Sequence, residues 1–178
     1  MGKIYATSDI WFNRPYGKLS EMITNEYNDM IIENWNKTVG KRDVIYILGG
    51  LGIGELYPIL SRLNGELHIL NNFFTKDERY FINVLKDNME TCNNKKLKNK
   101  IIFEDVQILP LPQLDTFITY FPLSSWYGST MGTYCFHGYT SESDMSNNSI
   151  TCQMENWKFK PVLIEEVKEN IGKFRLKI

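Results

Sequence analysis

Three apolar runs in the first half of the chain each end in a polar or glycine-rich step. Asp9 follows Lys3–Ser8, Gly49-Gly50 closes Asp43–Leu48, and Asn71-Asn72 follows Glu66–Leu70. In open α/β sheets such strand ends line the crevice where ligands bind. The chemistry on offer there is narrow. Asp9 brings one carboxylate and Asn72 one neutral amide, too few anionic or imidazole groups to hold a pair of divalent cations. The same residues also suit ordinary turns, Asp9 as a turn cap and the asparagines as left-handed backbone positions.

Only His68 and His137 carry imidazoles. His68 falls mid-strand, where a core or supporting role is the commoner one, and His137 lies beside the strand-end group. No Ser-His-Asp or Cys-His order with a nucleophile elbow accompanies them, so covalent hydrolysis is not expected. Gly49-Gly50-Leu51-Gly52-Ile53-Gly54 sits between a strand and a helix, as a phosphate loop would. Glu55 occupies the place of the third glycine of a dinucleotide loop, however, and no Gly-Lys-Ser/Thr follows.

The elements that must position these residues alternate. Lys3–Ser8, Asp43–Leu48 and Glu66–Leu70 read as strands. Helical spacing of Met22, Ile23, Tyr27, Met30, Ile31 and Trp35 predicts a helix from Ser20, its N-cap, to Val39, with Gly40 as the stop. Glu55–Leu63 and Asp77–Met89 complete a βαβαβα order, which implies a largely parallel sheet covered by helices. Further on, Ile101–Leu109, Asp115–Tyr120, Gly132–Phe136 and Thr151–Lys158 read as strands, followed by a helix over Leu163–Asn170 and a final strand over Phe174–Ile178. The expected class is a two-sheet α/β sandwich.

Apolar residues make up 43% of the 178, enough for one core and a single domain over residues 1–178. Twenty basic against 21 acidic residues leave a net charge of −1, which gives no field for nonspecific nucleic-acid or membrane binding. Cys92, Cys135 and Cys152 are odd in number and lack metal-site spacing, which favours a reducing, cytoplasmic compartment. With no apolar leader and no apolar stretch of membrane-spanning length, neither secretion nor membrane insertion is expected. The basic run Lys95–Lys100 reads as a solvated loop.

The segments Ser8-Asp9-Ile10-Trp11, Leu48-Gly49-Gly50, Leu70-Asn71-Asn72-Phe73-Phe74, Tyr120-Phe121-Pro122-Leu123 and His137-Gly138-Tyr139-Thr140-Ser141 resemble the five metal-site motifs of the calcineurin-like metallophosphoesterases. That family reads D-x-H, G-D, G-N-H-D, a histidine before Pro-Leu, and G-H-x-H at these places. Asn13-Arg14-Pro15, Ile32–Asn36, Leu60–Gly65 and Trp157–Val162 also resemble segments of its small phage and bacterial members. The likeness implies a four-layer α/β/β/α sandwich and, in intact members, two metals that activate water for phosphoester hydrolysis.

Set against that pattern, this chain resembles a degenerate member. Asp9 and Asn72 match ligands, but Trp11, Gly50, Tyr120, Tyr139 and Ser141 replace the others, and Phe73 and Phe74 replace the catalytic histidine and aspartate. His137 matches the residue before G-H-x-H and is not a ligand there. The resemblance therefore implies a pseudoenzyme without metal or other cofactor. Its converging aromatics either fill the vacated cavity or form a pocket that stacks a nucleobase, with Arg14, Lys76 and Arg79 meeting phosphates. The expected ligand set is Asp9, Trp11, Arg14, Asn72, Phe73, Phe74, Lys76, Tyr120, His137 and Tyr139. The expected function is sequestration of a nucleotide or signalling nucleotide, as a phage-encoded sponge in the host cytosol would do. The alternatives are a scaffold that binds a host protein and a weak residual phosphodiesterase.

Overall fold

The computed structural model describes residues 2–72, 75–91, 99–139 and 148–174, the last four without their side chains. Strands β1 (Ile4–Thr7), β2 (Val44–Ile47) and β3 (Glu66–Leu70) alternate with helices α1 (Thr24–Thr38), α2 (Leu56–Arg62) and α3 (Lys76–Thr91). They pair in parallel, with Ile4 beside Val44 and Val44 beside Glu66. Strand β4 (Ile101–Glu104) extends this sheet past β3, also in parallel. At its other edge the two-residue strand β9 (Val162–Leu163) runs antiparallel to β1. A second sheet has the order β5 (Ile108–Leu111), β6 (Thr116–Thr119), β7 (Tyr134–His137), β8 (Ser149–Thr151), antiparallel only between β5 and β6. Helix α4 (Ile164–Phe174) follows β9 directly. Among the described residues the architecture is thus α/β, with two mixed sheets and four helices.

Two cores hold this together. One lies on the helical side of the first sheet, where Tyr27, Ile31 and Trp35 of α1, Leu60 of α2 and Ile82 and Leu85 of α3 bury against Ile45, Ile47, Leu67 and Ile69. The other lies between the sheets, where Ala6, Leu48 and Leu70 meet Ile118, Phe136 and Cys152, and Ile164 and Val167 of α4 join them. Strands buried on both faces read as nearly continuous apolar runs, which is why β2 and β3 stand out in the sequence.

Several expectations are corrected. Helix α1 begins at Thr24 and Ser20 does not cap it; Ile23 precedes the first turn with no side-chain cap. The segment before it forms a 3-10 turn over Gly17–Leu19, anchored where Lys18 N–H donates to Glu155 Oε1. The run Ile101–Leu109 is two strands in different sheets, because the chain crosses from one to the other at residues 105–107. Thr151–Lys158 is not a strand either: β8 stops at Thr151, and a 3-10 turn over Met154–Trp157 ends on Lys158 and Phe159, both in the left-handed region. Phe174 closes α4, and the remainder of the expected last strand lies outside the described residues, as does most of the basic run. From that run, Lys100 donates to the carbonyls of Leu60, Ser61 and Leu63 and so caps the carboxyl end of α2.

Helix α3 starts with a cap that also ties it to the loop after β2. Thr75 Oγ1 accepts from Glu78 N–H at 3.0 Å, and the buried Glu78 carboxylate accepts from Leu51 N–H at 3.0 Å, tying the helix to the loop after β2. Thr75→Ala should lower unfolding free energy by about 1 kcal/mol while Thr75→Ser stays near wild type. Urea denaturation of the three proteins checks this, and equal midpoints for all three would show the cap to be idle.

Candidate functional site

The loops after β1 and β2 run side by side beyond the sheet. Asp9 N–H donates to Gly49 O, Trp11 N–H to Gly50 O and Phe12 N–H to Leu51 O, at 2.8–3.0 Å. Asp9, Trp11 and Asn13 all adopt positive φ, at 51°, 51° and 63°. For residues with a side chain each such position is costly, on the order of 1–3 kcal/mol, and persists only where surrounding contacts enforce it. Two tyrosines do part of that work: Tyr16 O–H donates to Asp9 O at 2.9 Å, and Tyr27 O–H to Ile10 O at 2.6 Å. Asn13 and Asn28 exchange two further hydrogen bonds, of 2.9 and 2.7 Å. Neither tyrosine nor Asn28 belongs to any motif; a lone tyrosine amid helical apolar spacing reads only as core.

The twisted loop aims the Asp9 side chain inward, leaving the residue 4% exposed. Tyr120, at the end of β6 in the other sheet, donates its O–H to Asp9 Oδ1 at 2.8 Å, and Ser8 donates to Oδ2 at 3.2 Å. The side chains of Gln153 and Trp11 hydrogen-bond to the same carboxyl group. Burial pushes the Asp9 carboxyl above its ordinary value, and these four bonds pull the other way without cancelling it. Burial, with the Asp9 charge second, pushes the Tyr120 phenol far up, so it stays a donor.

The other expected site residues divide into those at this cluster and those apart from it. Tyr139, 47% exposed, and Phe121, 55% exposed, lean against Tyr120 with ring centroids 6.3 and 5.2 Å away and against each other at 6.2 Å. Trp11 is half-buried, edge-on to Tyr16, with the Arg14 guanidinium 5.6 Å from its ring centre. Tyr120 itself is 4% exposed and lies beneath these rings. His137 is also fully buried: Nδ1 bonds to Tyr139 O at 2.7 Å, burial lowers its pKa, and Nε2 has no partner among the described residues. An uncharged imidazole sealed in this way supports the turn into Tyr139.

Asn72 serves another purpose. Its Nδ2–H donates to Gln107 O at 3.3 Å, while Asn71 N–H donates to Val106 O and Asn71 Nδ2–H to Asp105 Oδ1. The paired asparagines therefore hold the crossing from β4 to β5. Lys76 and Arg79 are exposed on the first turns of α3, and no described contact links either to Asp9. Phe73 and Phe74 lie outside the described residues, as does Ser141. His68 makes bonds of 2.6 and 2.9 Å to Glu104 and Glu66, a polar cluster on neighbouring strands.

These surroundings do not fit the pair of divalent cations that intact metallophosphoesterases hold. A cation needs acceptors facing it, whereas both oxygens of the Asp9 carboxylate already accept hydrogen bonds from side-chain donors. No group of three or more His, Cys, Asp or Glu side chains suited to a metal occurs among the described residues. Gly50, where the bridging aspartate would stand, has φ of +65°, and a Cβ there would lie 2.7 Å from both Cα and Oδ1 of Asp9.

No family model matches the chain. An uncharacterized protein, MJ1445 of Methanocaldococcus jannaschii, is 35% identical to it over 81 residues. The match takes in 38% of this chain and 43% of the archaeal protein, so the chain spans less than half the length of that relative. The crystal structure of AQ665, a protein of unknown function from Aquifex aeolicus, superposes with a TM-score of 0.58 at 15% identity, covering 95% of this chain and 99% of the other. At that identity the likeness speaks for the fold alone.

Two outcomes follow from the Asp9 cluster. A carboxyl group with a raised folded pKa binds its proton more tightly when folded, so its ionisation erodes stability as pH climbs from the ordinary 3.8 through the raised value. Tyr120→Phe removes a donor that favours the ionised form, so its deficit against wild type should widen with rising pH, to about 1–3 kcal/mol at neutrality. Urea unfolding across the acid-to-neutral range tests this, and a deficit independent of pH would assign the loss to packing. Gly50→Asp, which puts a carboxylate where the resemblance implies a metal ligand, should cost about 1–3 kcal/mol through backbone strain and overlap with Asp9. A melting temperature equal to or above wild type for that variant would show the cavity to be roomier than described.

Proposed function

We propose that this chain is a metallophosphoesterase-like pseudoenzyme of the four-layer α/β/β/α plan that acts by binding and does not cleave. The ligand we favour is a nucleotide held at the mouth of the former metal site. One observation carries the reading. The buried Asp9 carboxylate, a ligand match in the resemblance, is engaged by Tyr120, Ser8, Gln153 and Trp11. With its oxygens engaged, that carboxylate neither activates water nor holds a cation that would.

Affinity in this reading comes from the rim. Tyr139 and Phe121 present exposed rings and Trp11 a half-buried one, while Arg14 places a cation over the indole. Aromatic faces stack bases for about 1–3 kcal/mol each, and a guanidinium pairs well with phosphate. The buried Tyr120 and His137 then shape the floor and do not touch the ligand, a narrower set than the sequence suggests. Sequestration of a signalling nucleotide is the role such a site would serve. The competing scaffold reading draws on Tyr127 and Met131, 82% and 74% exposed in the loop between β6 and β7, which would suit a protein partner.

Calorimetric titration with a panel of mono-, di- and cyclic nucleotides tests the proposal. Wild type should bind at least one, Tyr139→Ala and Arg14→Ala should each weaken it about 5- to 150-fold, and the fold should persist. Manganese should elicit no hydrolysis of a generic phosphodiester. Chelator-sensitive turnover, or failure of the whole panel beside retained capture of a protein through Tyr127 and Met131, would overturn the nucleotide reading.

A further inference from the structure

A second cleft, of about 430 Å³, opens between the end of α1, the edge strand β9 and the first turns of α4. It stands apart from the Asp9 cluster. Lys3, on its wall, precedes β1 while Asp9 follows it, so the two lie at opposite ends of a strand, roughly 15–20 Å apart at extended rise. The cleft does not depend on the reading of the first site.

Its lining has two chemical parts. Val162 of β9 and Val167 of α4 are buried and apolar, and beside them lie the rings of Tyr5 and Trp157. Both rings are held by their polar ends: Tyr5 O–H donates to Thr38 O at 3.0 Å and Trp157 Nε1–H to Thr151 O at 2.8 Å. The rim carries Lys3, Lys158 and Lys160, all exposed, against two carboxylates: Glu166 on the lining, and Asp43, which accepts from Lys3 N–H at 2.8 Å and with Glu166 helps raise the Tyr5 phenol pKa, behind burial. None of the three ammonium groups forms an ion pair with a described residue. Lys158 projects from the left-handed pair Lys158–Phe159, with φ of 57° and 56°, a turn fixed by the bond from Phe159 N–H to Met154 O.

An apolar recess with two oriented rings beneath three cations that have no ion-pair partner among the described residues calls for a particular kind of guest. We propose that this cleft is a binding site for a small amphipathic anion, with its apolar or aromatic body against Tyr5, Trp157, Val162 and Val167 and its phosphate or carboxylate among Lys3, Lys158 and Lys160. A cation-only patch would attract any anion weakly and with full salt screening. Here the recess adds desolvation of the body, so inorganic phosphate alone should bind far more weakly than the same charge carried on a hydrophobic group. Glu166 disfavours higher-charge anions on its side and offers an acceptor to a hydroxyl or amine of the guest.

The test titrates the full chain with adenosine monophosphate, decanoate and inorganic phosphate, read by calorimetry and by the Trp157 indole N–H resonance, assigned with Trp157→Phe. Adenosine monophosphate or decanoate should saturate and shift that resonance, and the tighter of the two identifies the body as aromatic or aliphatic. Lys158→Glu/Lys160→Glu, and separately Lys3→Glu on a different element, should each lower affinity at least about tenfold. Trp11→Ala and Tyr139→Ala should leave the Trp157 shift unchanged, which separates this cleft from the first site. Failure of both amphipathic probes to saturate, binding no tighter than inorganic phosphate, or equal affinity in the charge-reversed variants would each overturn the proposal.

Discussion

Burying one carboxylate between two sheets sets terms that much of this fold then meets. Asp9 is almost fully enclosed, and an unpaired charge there would cost far more than the net stability of a domain of this size tolerates. Its oxygens draw Tyr120 from the second sheet, Ser8 from its own strand end, and Gln153 and Trp11 from flanking loops. Because these donors come from both sheets, satisfying the carboxylate also fastens the sheets to each other at their carboxyl ends. Tyr120 can serve only as a phenol kept protonated by burial, which makes the bond one-directional and the geometry narrow.

The backbone accommodates that demand. Three residues with side chains take positive φ between Asp9 and Asn13, supported by Tyr16, Tyr27 and Asn28 from beneath. On the facing loop, glycine is required at 50 and 52, since a Cβ at 52 would come within 2.4 Å of Phe12 O and one at 50 would strike Asp9. Strain of this kind persists only where surrounding contacts enforce it, and here it lies where the surrounding side chains donate to a carboxylate. What remains at the surface is aromatic: Tyr139 and Phe121 over Tyr120, and Trp11 under Arg14.

The crossing between the sheets shows the same economy of polar groups. Asn71 and Asn72 look like members of a ligand constellation because they sit at a strand end, yet their amides are spent on Asp105, Val106 and Gln107. That segment has no ladder partner while it changes sheets, so its carbonyls need donors from elsewhere. Two asparagines after a parallel strand supply them.

Much of this was open to reading from the chain itself. The βαβαβα order, the largely parallel first sheet and the strand-end positions of Asp9, Gly49 and Asn71 follow from apolar periodicity and glycine placement, because local patterns record which faces are buried. Tertiary structure alone decided who meets whom. Tyr120 reaches Asp9 across 111 residues, and nothing local to either announces the bond. Periodicity likewise read Ile101–Leu109 as one strand, since an apolar run looks the same whether it stays in a sheet or passes between two, and it missed β9, whose two residues are too few to show a period. The cleft beside β9 gathers Lys3, Tyr5, Lys158 and Lys160 from opposite ends of the chain. Sequence determines which residues must be hidden; only packing determines which polar group is hidden against which.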